Sequence, residues 1–233
     1  MGSVLRFLLL AILLPSCSLF RYTEPAGPLA RPRQSSVPVR WDEGHELSVV
    51  TMNAKDMLWL SEDRRLRMDR IAELLVELNP DVVCLQEGFV SRDISLIREP
   101  LRDIGLRFAM DYPSGVVGSG LWILSRFPIR ETYFKRFSKN GVFHYTRGGD
   151  WWAGKGVAFA RLELSEDKFL DIYNTYMVCN LGPRELRAHR MDQARELAEF
   201  VDTTTPGSIP VIVLGDFNCG PKPGDECGPL GSQ

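Results

Sequence analysis

The sequence lacks several features that would assign it to other classes of protein. Its 233 residues carry 28 basic and 30 acidic side chains, so there is no excess positive charge with which to coat nucleic acid. No Cys-x-x-Cys pair is present, which argues against a zinc–thiolate site. No apolar run is long enough to span a bilayer, and 44% hydrophobic with 25% charged residues excludes a disordered chain, a collagen and a multi-span membrane protein.

Residues 1–16 have the pattern of a secretory signal peptide. One cation, Arg6, precedes the short apolar run 7–14, and small residues follow it. The next residue, Cys17, stands in a Leu-Pro-Ser-Cys context that resembles a bacterial lipobox, whose cysteine becomes the lipidated first residue of the mature chain. We therefore expect export and a lipid anchor on a bacterial membrane. Plain cleavage with secretion, or an uncleaved apolar anchor, are the alternatives.

The remaining chain divides into three parts by composition. Residues 17–46 are rich in Pro, Arg, Ser and Gly without any period, which predicts a flexible tether. Residues 47–218 mix strand and helix patterns and predict one α/β (α+β) layered domain. Residues 219–233 form a Gly/Pro-rich tail whose one large aliphatic residue is Leu230, so this tail cannot supply a core strand.

Hydrophobic periodicity predicts three helices within the domain, at 62–78, 91–104 and 184–201. Ser61 and Ser91 are the expected caps of the first two helices. The spacing of four apolar residues predicts the buried face of the first helix, namely Ile71, Leu74, Leu75 and Leu78. Strands are predicted at 47–53, 81–86, 121–125, 133–137, 156–164, 169–176 and 209–214.

Polar side chains stand at the ends of three of these apolar strands. Asn53 ends the first strand, Glu87 follows the second, and Asp216 with Asn218 follows the last. A polar group just beyond a buried strand points into the cleft that the strand ends form. One or two carboxylates with carboxamides suit a hard, oxygen-ligated cation, so the combination predicts a Mg²⁺ site.

Three motifs resemble those of the endonuclease/exonuclease/phosphatase superfamily: Thr-Met-Asn at 51–53, Leu-Gln-Glu at 85–87 and Gly-Asp-Phe-Asn at 215–218. Further segments resemble the neutral sphingomyelinase branch of that superfamily, and together the similarity covers 47–218. These segments are 118–121, 125–129, 149–156 and 188–194.

The resemblance implies a DNase-I-like fold: a four-layer sandwich of two mixed β-sheets flanked by helices, here lacking its last strands. It also implies Mg²⁺-dependent hydrolysis of a phosphodiester, here a phospholipid head-group bond at a membrane surface, by a monomer. By motif, the resemblance implies that Glu87 and Asn53 are metal ligands and that Asp216 orients the attacking water. It further implies that Asn218 holds a phosphate oxygen and that Asp150 and Lys155 lie beside the phosphate.

The chain departs from the family pattern at Tyr176, where sphingomyelinases carry a histidine in a Thr-His-Leu motif. A phenol can donate a hydrogen bond to phosphate as an imidazole does, so we expect Tyr176 to bind phosphate. Tyrosine at this place is closer to the abasic-site endonucleases of the superfamily. A nuclease of the same fold is therefore an alternative, which the near-neutral charge and the 149–156 segment disfavour.

The second departure is the family's closing Ser-Asp-His motif, which this sequence does not contain. The histidines present are His45, His144 and His189, and none is expected to replace the missing general base. We therefore expect a truncated gene product or fragment with weak activity. A non-catalytic surface lipoprotein that binds lipid or a partner is the alternative from another class.

Overall fold

The computed structural model describes residues 46–57, 61, 63–141, 151–179 and 185–219. Their helices and strands, in chain order, are β1 Val49–Asp56, α1 Arg64–Leu78, β2 Val82–Gly88, α2 Ser91–Asp103, β3 Phe108–Asp111, β4 Trp122–Ser125, β5 Ile129–Arg136, β6 Gly156–Ser165, β7 Lys168–Tyr176, α3 Glu185–Thr204 and β8 Val211–Asp216. None of the helices in these ranges is both long and apolar enough to cross a membrane.

The described strands form two four-stranded mixed sheets. The first has the order β1-β2-β4-β3 and the second the order β5-β6-β7-β8. The pairs β1–β2 and β7–β8 are parallel, and the other neighbours are antiparallel. Because the strands of a parallel pair end at the same edge of a sheet, the residues that follow β1 and β2 lie together, as do those that follow β7 and β8.

The two sheets pack face to face with helices on both outer faces. Buried residues of both sheets form the central core, which includes Cys84 and Ile123 from the first sheet and Ala160 and Ile172 from the second. Helices α1 and α2 cover the outer face of the first sheet. Helix α3 packs on the outer face of the second through Leu197. The predicted four-layer sandwich is thus confirmed.

The details of helix α1 differ from the prediction. The helix begins at Arg64 after Asp63, and its first turn has no side-chain cap. Ser61 lies three residues before Arg64, where its hydroxyl accepts from the Met57 amide at 3.2 Å and donates to the Lys55 carbonyl at 2.7 Å. Helix α2 likewise begins at Ser91 itself, after Val90, without a side-chain cap. Both predicted serine caps are therefore wrong: Ser61 lies before the cap position and is bonded to residues that precede the helix, and Ser91 lies inside its helix.

The buried face of α1 is rotated from the expected one. Met68, Ile71, Ala72 and Leu75 are buried, whereas Leu74 and Leu78 are 42% and 51% exposed. Both sets follow the spacing i, i+3, i+4, i+7, and the packing against α2 and β2 selects the one that starts at Met68. Strand β3 was not predicted: its four residues are too few for alternation to show, and unlike the equally short β4 they do not form a continuous buried run.

A buried polar network links the two sheets beneath the ends of the strands. Asn174 in the middle of β7 is fully buried and donates to the carbonyls of Leu85 at 2.9 Å and Trp122 at 3.0 Å in the first sheet. Its Oδ1 accepts a hydrogen bond of 2.7 Å from the Gln86 amide, which also donates to Thr51. The network holds the two sheets in one register, because a shift would leave buried amides unpaired.

Candidate active site

Glu87 lies at the end of β2 and its side chain is 8% exposed. Its backbone is in the left-handed region with φ of 54°, which turns the carboxylate out of the strand line toward the second sheet. Gly120 makes this turn possible: its carbonyl accepts from the Gly88 amide at 2.9 Å, and a Cβ at 120 would lie 3.1 Å from the Glu87 Cα. The strained turn is therefore built around one carboxylate.

Asn53 joins the two carboxylates of the site. Its Nδ2 donates to Glu87 Oε1 and to Asp216 Oδ2, each at 2.9 Å. Its Oδ1 accepts from the Lys55 backbone amide at 2.9 Å, which fixes which end of the amide faces the carboxylates. Residues 163 positions apart in sequence are thus brought within one hydrogen-bonded cluster.

Asp216 ends β8 directly after a glycine that the fold requires. Gly215 has φ of 138°, and a Cβ there would lie 2.1 Å from the Thr175 carbonyl oxygen on β7. The Oδ1 of Asp216 accepts from the Asn218 backbone amide at 2.9 Å, and Oδ2 accepts from Asn53. The carboxylate is held on both oxygens and keeps lone pairs directed at the cluster.

Tyr176 and Lys155 form the floor of the site. The Tyr176 hydroxyl donates to Glu87 Oε1 at 2.7 Å, so in this arrangement the phenol orients the carboxylate. Its predicted donation to phosphate would require the hydroxyl to leave Glu87. The Lys155 ammonium lies 3.4 Å from the centroid of the Tyr176 ring and donates to the Met177 carbonyl at 2.7 Å, with the side chain 1% exposed.

Asn218 shares an acceptor with Lys155. Its Nδ2 donates to the Met177 carbonyl at 2.9 Å, and its backbone has φ of 50°. An amide nitrogen carries two hydrogens, so the second hydrogen of Nδ2 remains for a substrate oxygen. The structure therefore brings Asn53, Glu87, Lys155, Tyr176, Asp216 and Asn218 together at one end of the two sheets, as the sequence predicted.

Four residues named from the sequence lie outside the described ranges: Asp150, Cys17, His45 and His144. Among the cysteines that are described, Cys84 is a free thiol and Cys219 is disulfide-bonded. His189 lies on helix α3, and no hydrogen bond of the described residues joins it to Glu87 or Asp216. The neighbours of Asp150, Trp151 and Trp152, are each 38% exposed and pack edge to face.

Two buried residues support the site from a distance. Asn174 was not predicted, and Gln193 was included only as part of the family-like segment 188–194. Asn174 could have been found as a polar residue in the middle of an otherwise apolar strand. Gln193, on α3, is fully buried: its Oε1 accepts from the Val178 amide at 3.0 Å and its Nε2 donates to the Lys139 carbonyl at 2.7 Å. It ties the segment after Tyr176 to the segment after β5.

One atom of the cluster indicates a cation. Glu87 Oε2 is buried and has no hydrogen-bond partner among the atoms of the structure, whereas the other carboxylate oxygens of the cluster are paired. A buried carboxylate oxygen without a partner is unfavourable unless a cation faces it. No group of three or more His, Cys, Asp or Glu side chains with metal-binding geometry occurs in the described ranges. A donor set of one or two carboxylates with a carboxamide suits Mg²⁺, which keeps several of its waters.

The family model that describes the Endonuclease/Exonuclease/phosphatase family matches residues 58–230. The chain belongs to this family. The chain is similar to Sphingomyelin phosphodiesterase 2 of Mus musculus, with 33% identity over 76% of this chain, and to Inositol phosphosphingolipids phospholipase C of Schizosaccharomyces pombe, with 30% identity over 77% of it. The chain spans about two fifths of the length of these relatives, 42% and 43%.

Solved structures agree on the family fold. The sphingomyelinase C of Streptomyces griseocarneus superposes with a TM-score of 0.63 at 23% identity, over 77% of this chain and 66% of that one. A beta toxin of Staphylococcus aureus with bound magnesium ions gives 0.65 at 20% identity, over 78% and 68%. The zebrafish TDP2 complex with a single-strand DNA product gives 0.55 at 18%, over 75% and 61%. At these identities the likeness establishes the fold.

Proposed function

We propose that this family member is a Mg²⁺-dependent phosphodiesterase that hydrolyses the head-group bond of a sphingolipid. The observation that supports it most strongly is Glu87 Oε2, a buried carboxylate oxygen without a partner, beside Asn53 and close to Asp216. Phosphodiester hydrolysis needs positive charge at the phosphoryl group. A cation bound to Glu87 Oε2 would supply that charge.

Glu87 would hold the cation through Oε2. Asn53 faces both carboxylates with Nδ2, so it would join as a ligand only if its amide turned to present Oδ1 in place of Nδ2. When bound, Mg²⁺ supplies polarisation of the phosphoryl oxygens and stabilisation of the leaving oxygen. Tyr176 and Asn53 both donate to Glu87 Oε1, so Oε2 points away from them and is positioned for the cation.

The other residues act on water and on the phosphate. Asp216 is fixed by Asn53 and by the Asn218 amide, and its remaining lone pairs can accept a proton-bearing water and orient it for attack. The second hydrogen of Asn218 Nδ2 and the Lys155 ammonium would meet the negative charge that develops on the phosphoryl oxygens.

The sphingolipid substrate is supported by the relatives at 30% identity and above, whose names refer to sphingomyelin and to inositol phosphosphingolipids. The test is direct. With Mg²⁺ present, the chain is expected to release phosphocholine from sphingomyelin and to leave plasmid DNA intact. Nicking of plasmid DNA without phosphocholine release would replace this proposal with the nuclease, and Mg²⁺ binding without either product would indicate a non-catalytic protein.

The Glu87→Gln variant tests the cation position. Glutamine keeps an acceptor at Oε1 for Asn53 and Tyr176 but places an amide where Oε2 lies, so the fold should survive while turnover falls by about 10³-fold. Calorimetric titration with Mg²⁺ should show the loss of the cation separately from activity, and a thermal melt should show an unchanged fold. Full Mg²⁺ affinity in Glu87→Gln would refute the assignment.

We also propose that the chain is exported as a monomer and anchored to a membrane by a lipid on Cys17, which would place the domain next to its substrate. The support is the sequence pattern of residues 1–17, which lie outside the described ranges. Export with lipidation predicts that the native chain partitions into the detergent phase of Triton X-114 and that Cys17→Ala partitions into the aqueous phase. Aqueous partition of both would contradict the anchor.

A further inference from the structure

A cluster of three charged side chains lies behind the turn that carries Glu87, and no step of the proposed reaction uses it. Asp56 ends β1, Arg64 begins α1, and Asp93 lies in the first turn of α2. Nε of Arg64 donates to Asp56 Oδ1 at 3.0 Å and to Asp93 Oδ2 at 2.9 Å. The side chain of Asp56 is fully buried. We call these three charged residues the Asp56 clamp.

The Asp56 clamp also holds the chain that follows Glu87. Asp56 Oδ2 accepts from the Val90 amide at 2.9 Å, three residues after the carboxylate that faces the proposed cation. Arg64 and Asp93 belong to helices α1 and α2, so the bond to Val90 fastens this part of the chain to both helices.

Two further hydrogen bonds hold Gly88. Its amide donates to the Gly120 carbonyl at 2.9 Å, and its carbonyl accepts from Trp122 Nε1 at 2.9 Å. A Cβ at position 88 would lie 2.8 Å from Ile94 and 2.8 Å from Trp122, so the turn is closely packed as well. The segment 88–90 is therefore held by hydrogen bonds at both of its ends.

Glu87 needs this support because two of its features are unfavourable without a cation. Its backbone has φ of 54°, a left-handed conformation that a residue with a Cβ adopts only when its surroundings impose it. Its Oε2 is buried without a hydrogen-bond partner. Rotation of the Glu87 backbone into the ordinary region would relieve the strain and let Oε2 reach water. The same rotation would move the carboxylate away from Asn53 and Tyr176.

We propose that the Asp56 clamp positions the metal ligand Glu87, with Asp56 as the residue that acts on the turn, and this proposal rests on the proposed function of the site. Through Val90 the clamp prevents the turn from relaxing, so Glu87 Oε2 faces the cation position before a cation is bound. Such preorganisation increases affinity, because the ligand is ordered on folding rather than on binding.

Asp81 provides a matched control at the opposite end of β2. It is also buried, and it likewise accepts from one backbone amide, that of Ser48 at 3.0 Å, and from one guanidinium, that of Arg126 at 3.0 Å. Loss of Asp81 or of Asp56 thus removes bonds of the same kinds. Asp81 precedes Glu87 by six residues along the strand, which places it about 20 Å away.

The experiment is calorimetric titration with Mg²⁺ of the wild type and of three variants, Asp56→Leu, Asp56→Asn and Asp81→Leu. Asp56→Leu should bind Mg²⁺ about tenfold more weakly, which is the factor expected when Glu87 is free to leave the left-handed region. Asp56→Asn keeps an acceptor for the Val90 amide and should retain most of the affinity. Asp81→Leu should keep the affinity of the wild type, even if it is less stable in urea.

Equal Mg²⁺ affinities of the two leucine variants would overturn the proposal, and so would an Asp56→Asn variant that binds as weakly as Asp56→Leu. If Asp56→Leu does not fold, the pair Arg64→Met and Arg126→Met makes the same comparison, because Arg64→Met detaches Asp56 from both helices. Arg64→Met should then bind Mg²⁺ more weakly than Arg126→Met, and equal affinities would overturn the proposal.

Crystal structures of the leucine variants grown in EDTA make the outcome separable from that of the proposed function. In Asp56→Leu, Glu87 should leave the left-handed region and lose its 2.7 Å bond from Tyr176, and in Asp81→Leu it should keep both. This difference, together with no Mg²⁺ binding by the wild type, would refute the cation site and leave the clamp standing. Mg²⁺ binding by the wild type with an unchanged Glu87 in Asp56→Leu would do the opposite.

Discussion

Asp56, at the end of β1, is a buried carboxylate whose titration should make the stability of the domain depend on pH. Its side chain is fully buried, accepting from the Val90 amide at 2.9 Å and from the Arg64 guanidinium at 3.0 Å, while Arg64 also pairs with Asp93. Burial raises the pKa of Asp56 from 3.8 to about 6, against the opposing effects of the Val90 amide and Arg64. The perturbation is Asp56→Asn, which removes the titration and keeps an acceptor.

The magnitude follows from the two pKa values. Between pH 3.8 and about 6 the folded chain binds more protons at this position than the unfolded chain, so the free energy of unfolding falls as the pH rises through this window. The contribution is fully present below the unfolded pKa and is lost above the folded one. A shift of this size corresponds to about 3 kcal/mol. The asparagine variant should lack this loss.

Urea denaturation of the wild type and Asp56→Asn at intervals from pH 3 to pH 8 measures this effect. The difference in the free energy of unfolding between them cancels the titration of every other group that does not contact Asp56. This difference should change by about 3 kcal/mol in favour of the variant as the pH rises, with its midpoint between 4 and 6. Asp93→Asn is the control, since removing this neighbouring negative charge should move the transition to lower pH.

A flat difference, or one that changes in favour of the wild type as the pH rises, would refute the reasoning. It would mean that the Arg64 ion pair outweighs the loss of hydration at Asp56, so that the folded chain holds the carboxylate charged.

Three further predictions concern stability and use thermal or urea unfolding. Gly215→Ala should destabilise by about 3 kcal/mol or more, because its Cβ would lie 2.1 Å from the backbone of β7, whereas Gly207→Ala, with nothing within 4 Å, should be neutral; equal effects would contradict the close approach. Leu75→Ala should destabilise by about 2–5 kcal/mol and Leu74→Ala by less than about 1, and the reverse order would contradict the buried face of α1. Asn174→Leu should destabilise by about 2–4 kcal/mol, because it leaves buried amides and carbonyls of the first sheet unpaired, and a neutral effect would contradict the bridging role.

Local sequence patterns predicted the helices, seven of the eight described strands and the polar residues that the structure brings together at the strand ends. Long periodic segments and apolar strands that end in Asn53, Glu87 and Asp216 are local features, and local features can be read from neighbouring residues. The motifs around them carried the family resemblance, which the family match then confirmed. The same reasoning failed for β3, whose four residues show neither alternation nor the continuous buried run that marks the equally short β4.

Long-range packing determines which side chains of this domain contact one another, and local sequence patterns do not show it. The two possible apolar faces of α1 differ by a rotation that the helix alone does not resolve, and the contact with α2 chose between them. The bond from Tyr176 to Glu87 joins residues 89 positions apart, so no local pattern could show that the phenol orients the carboxylate. The unpaired Glu87 Oε2 likewise depends on the assembled fold, because residues distant in the sequence surround this oxygen without donating to it.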